Sequence, residues 1–186
     1  MVIALISVGL AAGSLGVLAS GADYLGDALG TGLSLVALRM SRRPHGHPRA
    51  TSYAALVNAS LLLLVTVAVA VEAIYRLSTG APSVDGLPVV IVSIIAAVAM
   101  ITCALILGDV AGDFNMQSVM LDTVADAAAA IGVAISGAVI LATGEFFWLD
   151  SVVALMIAVV VGYHAVRLIR RVLVDLPEKA EVSERA

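Results

Sequence analysis

The stretch DYLGDALG, residues 23–30, places Asp23 and Asp27 inside an apolar run, and they are the only charged residues between Met1 and Leu38. Their i, i+4 spacing puts both on one face of a helix, about 6 Å apart along its axis. A carboxylate within a bilayer costs several kcal/mol on most scales. If the surrounding run spans a membrane, the pair therefore indicates a functional site.

The composition of the 186-residue chain is that of an integral membrane protein. Apolar residues make up 61% and charged residues 13% of the chain, whereas soluble domains average about 45–50% and about 25%. Charge-free runs that approach the length of a spanning helix occur at 1–22, 50–71, 86–108, 127–144 and 151–166. They lack the two-residue alternation of barrel strands, so helices are expected.

The expected fold class is all-α, a polytopic membrane bundle of six transmembrane helices. The first helix ends near Ala12, and the others cover about 15–40, 51–77, 87–108, 115–143 and 149–173. The first is short or truncated, since about twelve residues reach only roughly 18 Å; one continuous helix over 1–22 is the alternative. Residues 1–173 are expected to form the bundle and 174–186 a short, frayed cytoplasmic tail, without a cytosolic C-terminal domain.

Nine of the ten Lys and Arg residues, all except Arg76, lie in two regions of the sequence. One is the loop after the second helix and the other is the C-terminal end, with Arg39, Arg42, Arg43 and Arg49 in the first and Arg167, Arg170, Arg171, Lys179 and Arg185 in the second. The positive-inside rule places both in the cytoplasm, and the plasma (inner) membrane is the expected location. These residues flank membrane spans rather than form a soluble basic face, so nucleic acid is not an expected partner.

The spacing of the first pair returns in the fifth helix, where Asp122 and Asp126 are again one turn apart. If the two pairs face each other, four carboxylates converge, and they cannot all stay ionised in a low dielectric without a cation. The sequence thus predicts a divalent-metal site made of Asp23, Asp27, Asp122 and Asp126. The alternative is that these aspartates cap helices or bond to neighbouring hydroxyls.

Several stretches of the chain carry a family resemblance. GSLGVLASGADYLGDA (13–28), PHGHPRATSYAALVNASLLL (44–63), DFNMQSVMLDTVADAAAAIGV (113–133) and WLDSVVALMIAVVV (148–161) together resemble the cation diffusion facilitator family of divalent-metal/proton antiporters. In the family's patterns, Asp23 and Asp122 stand where many members have histidine, and Asp27 and Asp126 stand on the aspartates.

The resemblance implies a homodimeric exporter with a cytosolic N-terminus, which exchanges one metal ion per protomer for protons by alternating access. The substrate class would be Zn, Mn, Fe, Co or Cd, with no tightly bound cofactor. An all-carboxylate site suits harder ions such as manganese, whereas imidazole suits zinc. Zinc also accepts carboxylates, so zinc and manganese are both expected candidates.

Other polar residues are weaker candidates. His45, His47 and Asp113 lie in cytoplasmic loops, where they either attract metal to the entrance or are ordinary solvated residues. Asp150 is explained as a carboxylate at the start of the sixth helix. Glu72 and Arg76 form an i, i+4 pair expected to stabilise the outer end of the third helix.

The sequence does not contain the motifs of the enzyme classes that we considered as alternatives. No HExxH, GxSxG or phosphate-binding loop occurs, so the chain is not expected to be an enzyme. A non-transporting or degenerate relative that binds metal, or serves as a structural membrane subunit, is the main alternative. The expected partners are a divalent metal ion, protons, membrane lipids and a second copy of the chain.

Overall fold

The structure is a computed structural model, and it describes residues 1–41, 50–110 and 114–184. It contains α1 Val2–Ala12, α2 Leu15–Ser41, α3 Ala50–Thr79, α4 Gly86–Val110, α5 Phe114–Thr143 and α6 Trp148–Glu184. No strand occurs among these residues. The predicted all-α fold is therefore confirmed, and each of the six predicted helices has its counterpart.

Four helices of the described part are long and apolar enough to cross a membrane, at Ser52–Thr79, Gly86–Gly108, Val119–Thr143 and Trp148–Val174. Only 17% to 33% of their most apolar windows is buried inside the protein, so most of this apolar surface is exposed. The chain is thus a multi-pass integral membrane protein. The α2 helix, with its two aspartates, is not among the four.

A left-handed glycine separates α1 from α2. Gly13 has φ +69°, and the next backbone N–H, that of Ser14, donates to the carbonyl of Gly9 at 3.0 Å. Glycine adopts this conformation without the steric cost that a side chain imposes. This confirms a first helix ending at Ala12 rather than one continuous helix over 1–22. With 11 residues, α1 is about 16 Å long.

The sixth helix is longer than predicted. We expected it to end near residue 173 and the tail to be frayed, but α6 continues to Glu184. Pro177 disfavours a helix interior because it lacks an N–H group. The residues after it include Glu178, Lys179 and Ala180, which are strong helix formers. The helix therefore extends beyond its predicted end, whereas a cytoplasmic tail over 174–186 stays a prediction.

The chain divides into two compact units, Met1–Gly21 with Val69–Ile157 and Ala22–Ala68 with Ala158–Ala186. In the first unit, α4 packs along α5 and also contacts α1. Gly137 lets α5 approach α4 closely, since a Cβ atom there would lie 2.6 Å from Cγ1 of Val89. Val89 is fully buried in this packing.

The second unit holds residues 22–41 of α2, 50–68 of α3 and 158–184 of α6, which also approach one another at glycines. A Cβ atom on Gly26 would lie 2.8 Å from Leu62, and one on Gly30 would lie 2.7 Å from the amide nitrogen of Asn58. One turn or so further along α3, Thr66 lies against Gly162 of α6. Small residues at helix interfaces are how membrane helices pack closely without a hydrophobic driving force.

Candidate metal site

The first aspartate pair lies on α2, which is a continuous helix over residues 23–30. Asp23 is half-buried and Asp27 is exposed, whereas Tyr24 and Gly26 are buried. The buried residues identify the packed face of α2, and the glycine at 26 lies against α3. The two carboxylates therefore share a helix face beside that packed face, as their i, i+4 spacing predicted.

The second pair, Asp122 and Asp126, lies on α5 and is likewise beside the packed face of its helix. Thr123, Ala127 and Ala130 are buried on this helix, whereas Asp126 is half-buried and Asp122 is exposed. The Thr123 hydroxyl donates to the carbonyl of Val119 at 2.9 Å, so its polar group is satisfied within the helix. The aspartates again share a face next to the packed stripe.

The two pairs belong to different units, with Asp23 and Asp27 in the second and Asp122 and Asp126 in the first. Within either unit, the described residues hold no group of three His, Cys, Asp or Glu side chains that could bind a metal ion together. Neither pair is thus a complete ligand set by itself. Convergence of all four carboxylates stays a prediction.

His45, His47 and Asp113 lie outside the described residues, so their suggested role at the entrance also stays a prediction.

The sequence interpretation missed a buried polar cluster built around Asp150. This carboxylate is fully buried and accepts hydrogen bonds from the Ser14 hydroxyl at 2.5 Å, from the Leu15 N–H at 2.6 Å and from the Gly16 N–H at 3.2 Å. Asp150 therefore caps the beginning of α2, where backbone N–H groups have no partner within the helix.

The prediction for Asp150 was incomplete. It does lie in the first turn of α6, but its partners belong to α2 and lie 134 to 136 residues earlier in the chain. Serine at position 14 is a recognisable N-cap, and its hydroxyl accepts from the Val17 N–H at 3.1 Å. That local signal indicates where α2 begins, although not that a distant carboxylate completes the cap.

Arg76 joins the end of α3 to the turn between α1 and α2. Its Nη1 donates to the carbonyl oxygen of Gly13 at 2.9 Å, and its Nε donates to Glu72 at 2.8 Å. The predicted Glu72–Arg76 pair is therefore confirmed. The bond to Gly13, which was not predicted, fixes the same turn that Asp150 caps.

We expect Arg76→Met to lower the unfolding free energy by about 1.5–3 kcal/mol, because it removes a charged donor from a backbone carbonyl. Glu72→Gln is the matched control, since it alters only an i, i+4 pair worth about 0.5 kcal/mol or less. Denaturant unfolding in detergent, followed by circular dichroism, measures both. Equal losses in the two variants would contradict a stabilising role for the bond to Gly13.

Taken together, the long apolar helices and the two aspartate pairs define a class, that of polytopic membrane proteins with paired acidic residues on their helices. The model of the cation efflux transmembrane domain matches residues 1–176. The chain therefore belongs to the cation efflux family, as the resemblance of its motifs predicted.

Curated relatives of the chain are transporters by name. It is 31% identical over 182 residues to the zinc transporter ZitB of Yersinia pseudotuberculosis, and 30% identical over 185 residues to ZitB of Escherichia coli. It is 25% identical over 189 residues to the cadmium, cobalt and zinc/H(+)-K(+) antiporter of Bacillus subtilis. These alignments cover 92%, 94% and 95% of this chain but only 57%, 58% and 60% of the relatives.

Proposed function

We propose that this chain is the membrane part of a secondary transporter that exports a divalent transition-metal cation from the cytoplasm in exchange for protons. The observation that carries the proposal is the repeated pair of aspartates, on α2 and on α5, in a member of the cation efflux family. The chain spans somewhat more than half the length of the relatives it matches. The transport activity of those relatives is therefore assigned to this chain only as part of the proposal.

Asp23, Asp27, Asp122 and Asp126 are the proposed ligands. Two carboxylates on one helix supply two of the four ligands that tetrahedral zinc takes, and the pair on the other helix supplies the rest. Carboxylates in a membrane are costly unless a cation neutralises them. A divalent ion neutralises them, and all four aspartates then act as ligands of one metal ion.

Proton exchange follows from the same four groups. Without metal, four clustered carboxylates cannot all stay ionised, so the empty site retains protons. Metal binds the deprotonated ligands, so loading from the cytoplasm releases protons and unloading on the other side takes them up. An inward proton gradient therefore drives metal outward.

The donor atoms also bear on which metal is carried. The relatives are named for zinc, cadmium and cobalt, and we propose zinc as the first candidate. The proposed site has only oxygen donors, which suit manganese better than imidazole does. Manganese is therefore the second candidate.

The orientation and assembly are part of the proposal. The arginine-rich loop and the C-terminus face the cytoplasm by the positive-inside rule, and the protein works as a homodimer in the inner membrane. The chain carries out transport and no enzymatic reaction.

A metal panel in sealed liposomes tests the function. The liposomes contain a metal indicator, and their interior is at a lower pH than the exterior. We expect zinc uptake under these conditions, and we expect that uptake to stop when a protonophore removes the pH gradient. The pH of the interior, followed with a second dye, should rise as metal enters. Absence of flux for zinc, cadmium, cobalt and manganese alike would refute the proposal and favour the non-transporting alternative.

A further inference from the structure

We propose that Asp150 is a positioning residue for metal transport, which holds the first turn of α2 and thereby sets the orientation of Asp23 and Asp27. This inference rests on the proposed function, because it assigns the cap a role in the use of those two aspartates. It assigns Asp150 no contact with the metal.

The bonding around Asp150 is that of an anchor. Both of its carboxylate oxygens are used, one by the Leu15 N–H and the other by the Ser14 hydroxyl and the Gly16 N–H. An ionised carboxylate accepts at both oxygens and gains further from the positive end of the helix dipole. An asparagine in its place would turn an NH2 group toward one of these donors.

The contact is tight, and a glycine makes it possible. A Cβ atom on Gly16 would lie 3.0 Å from Oδ1 of Asp150 and 3.4 Å from Val133. A side chain at position 16 would therefore require the Asp150 carboxylate or Val133 to shift by a few tenths of an ångström. Together with the bond from Arg76 to Gly13, this places the turn before α2 under restraint from both α3 and α6.

Helix geometry transmits the restraint to the aspartates. Asp23 lies eight residues after Leu15 in the same helix, which is about 12 Å or a little over two turns. A slip of one residue at the start of α2 rotates every later side chain by about 100° about the helix axis. Asp23 and Asp27 then point away from the direction that their ligand role requires.

The experiment compares Asp150→Asn and Ser14→Ala with the wild-type protein. Asp85→Asn is the matched control, because Asp85 is an exposed aspartate that accepts the Leu87 N–H at 3.3 Å at the start of α4. Each protein is purified in folded, monodisperse form and reconstituted in liposomes. Zinc flux is then measured over a range of zinc concentrations, so that the half-saturating concentration and the maximal rate are obtained separately.

We expect Asp150→Asn to raise the half-saturating zinc concentration about tenfold or more, since a small displacement of ligands has large effects. Ser14→Ala should raise it less, and the double variant should resemble Asp150→Asn alone because both changes act on one cluster. Asp85→Asn should match the wild type. In parallel, hydrogen exchange should accelerate at the first turn of α2 in Asp150→Asn and not at the first turn of α4.

A purely structural role predicts a different pattern, in which the yield of folded protein falls while the folded fraction keeps the wild-type half-saturating concentration. That result, in Asp150→Asn or, if that variant does not fold, in Ser14→Ala, overturns this inference and leaves the proposed function intact. A wild-type protein without zinc flux overturns both.

Discussion

Replacing Asp126 with asparagine is expected to abolish metal transport, with a fall in zinc flux of at least about 100-fold. The substitution preserves the shape of the side chain but removes a negative charge and one carboxylate ligand from the proposed site. Removal of groups that merely support metal ligands already costs about 10–100-fold, so loss of a ligand itself should cost more. Asp27→Asn should have the same effect, because the two pairs have equivalent roles.

Proton movement should be lost together with metal movement in these variants. The same liposomes, loaded with a pH-sensitive dye and a metal indicator, report both. Glu145→Gln is the control, since Glu145 is an exposed carboxylate in the connection between α5 and α6. Normal metal and proton flux in Asp126→Asn would refute its assignment to the site, whereas equal loss in Glu145→Gln would show a nonspecific effect of charge removal.

A second large effect is expected from Gly137→Ala in the contact between α4 and α5. The added methyl group would lie 2.6 Å from Cγ1 and 3.1 Å from Cβ of Val89. Valine is branched at Cβ and has little freedom to turn away, so the two helices must separate. We expect a loss of about 1–3 kcal/mol in unfolding free energy, which is typical of overpacking, measured by denaturant unfolding in detergent.

Gly132→Ala, on the same helix, is the control, and we expect it to leave the unfolding free energy unchanged or to raise it. The nearest atom to a Cβ there is Cγ1 of Val153 at 3.7 Å, an ordinary van der Waals contact. Alanine is favoured over glycine in a helix interior by about 1 kcal/mol, so this variant should be as stable as the wild type or more stable. Destabilisation of both variants to the same extent would contradict the close packing at Gly137.

The order of amino acids was sufficient to predict the helices. In a bilayer a lipid-exposed segment has to satisfy its own backbone hydrogen bonds, so a long apolar run has few alternatives to a helix. The break at Gly13 was one of two alternatives that the sequence left open, and the left-handed conformation of this glycine in the structure decided between them. The end of α6 was not predicted because it lies in polar sequence, where no apolar periodicity indicates a helix. Helix formers such as Glu178 and Lys179 extend the helix past Pro177.

The same reasoning holds for the carboxylates. The i, i+4 spacing of Asp23 with Asp27 and of Asp122 with Asp126 places each pair on one helix face, whatever the helix packs against. The salt bridge between Glu72 and Arg76 was likewise predictable, because both partners lie within one turn. Local periodicity is enough for relations of this kind.

The hydrogen bonds of Asp150 could not be predicted from local sequence patterns. Its position in the first turn of α6 offered a sufficient explanation within its own helix, yet its hydrogen-bond donors belong to residues 14 to 16. A buried carboxylate takes the donors that packing brings within about 3 Å, and sequence separation has no influence on that choice. The amino-acid sequence thus specified the helices and the acidic pairs through short-range geometry, whereas the capping of α2 by α6 arose only from their packing.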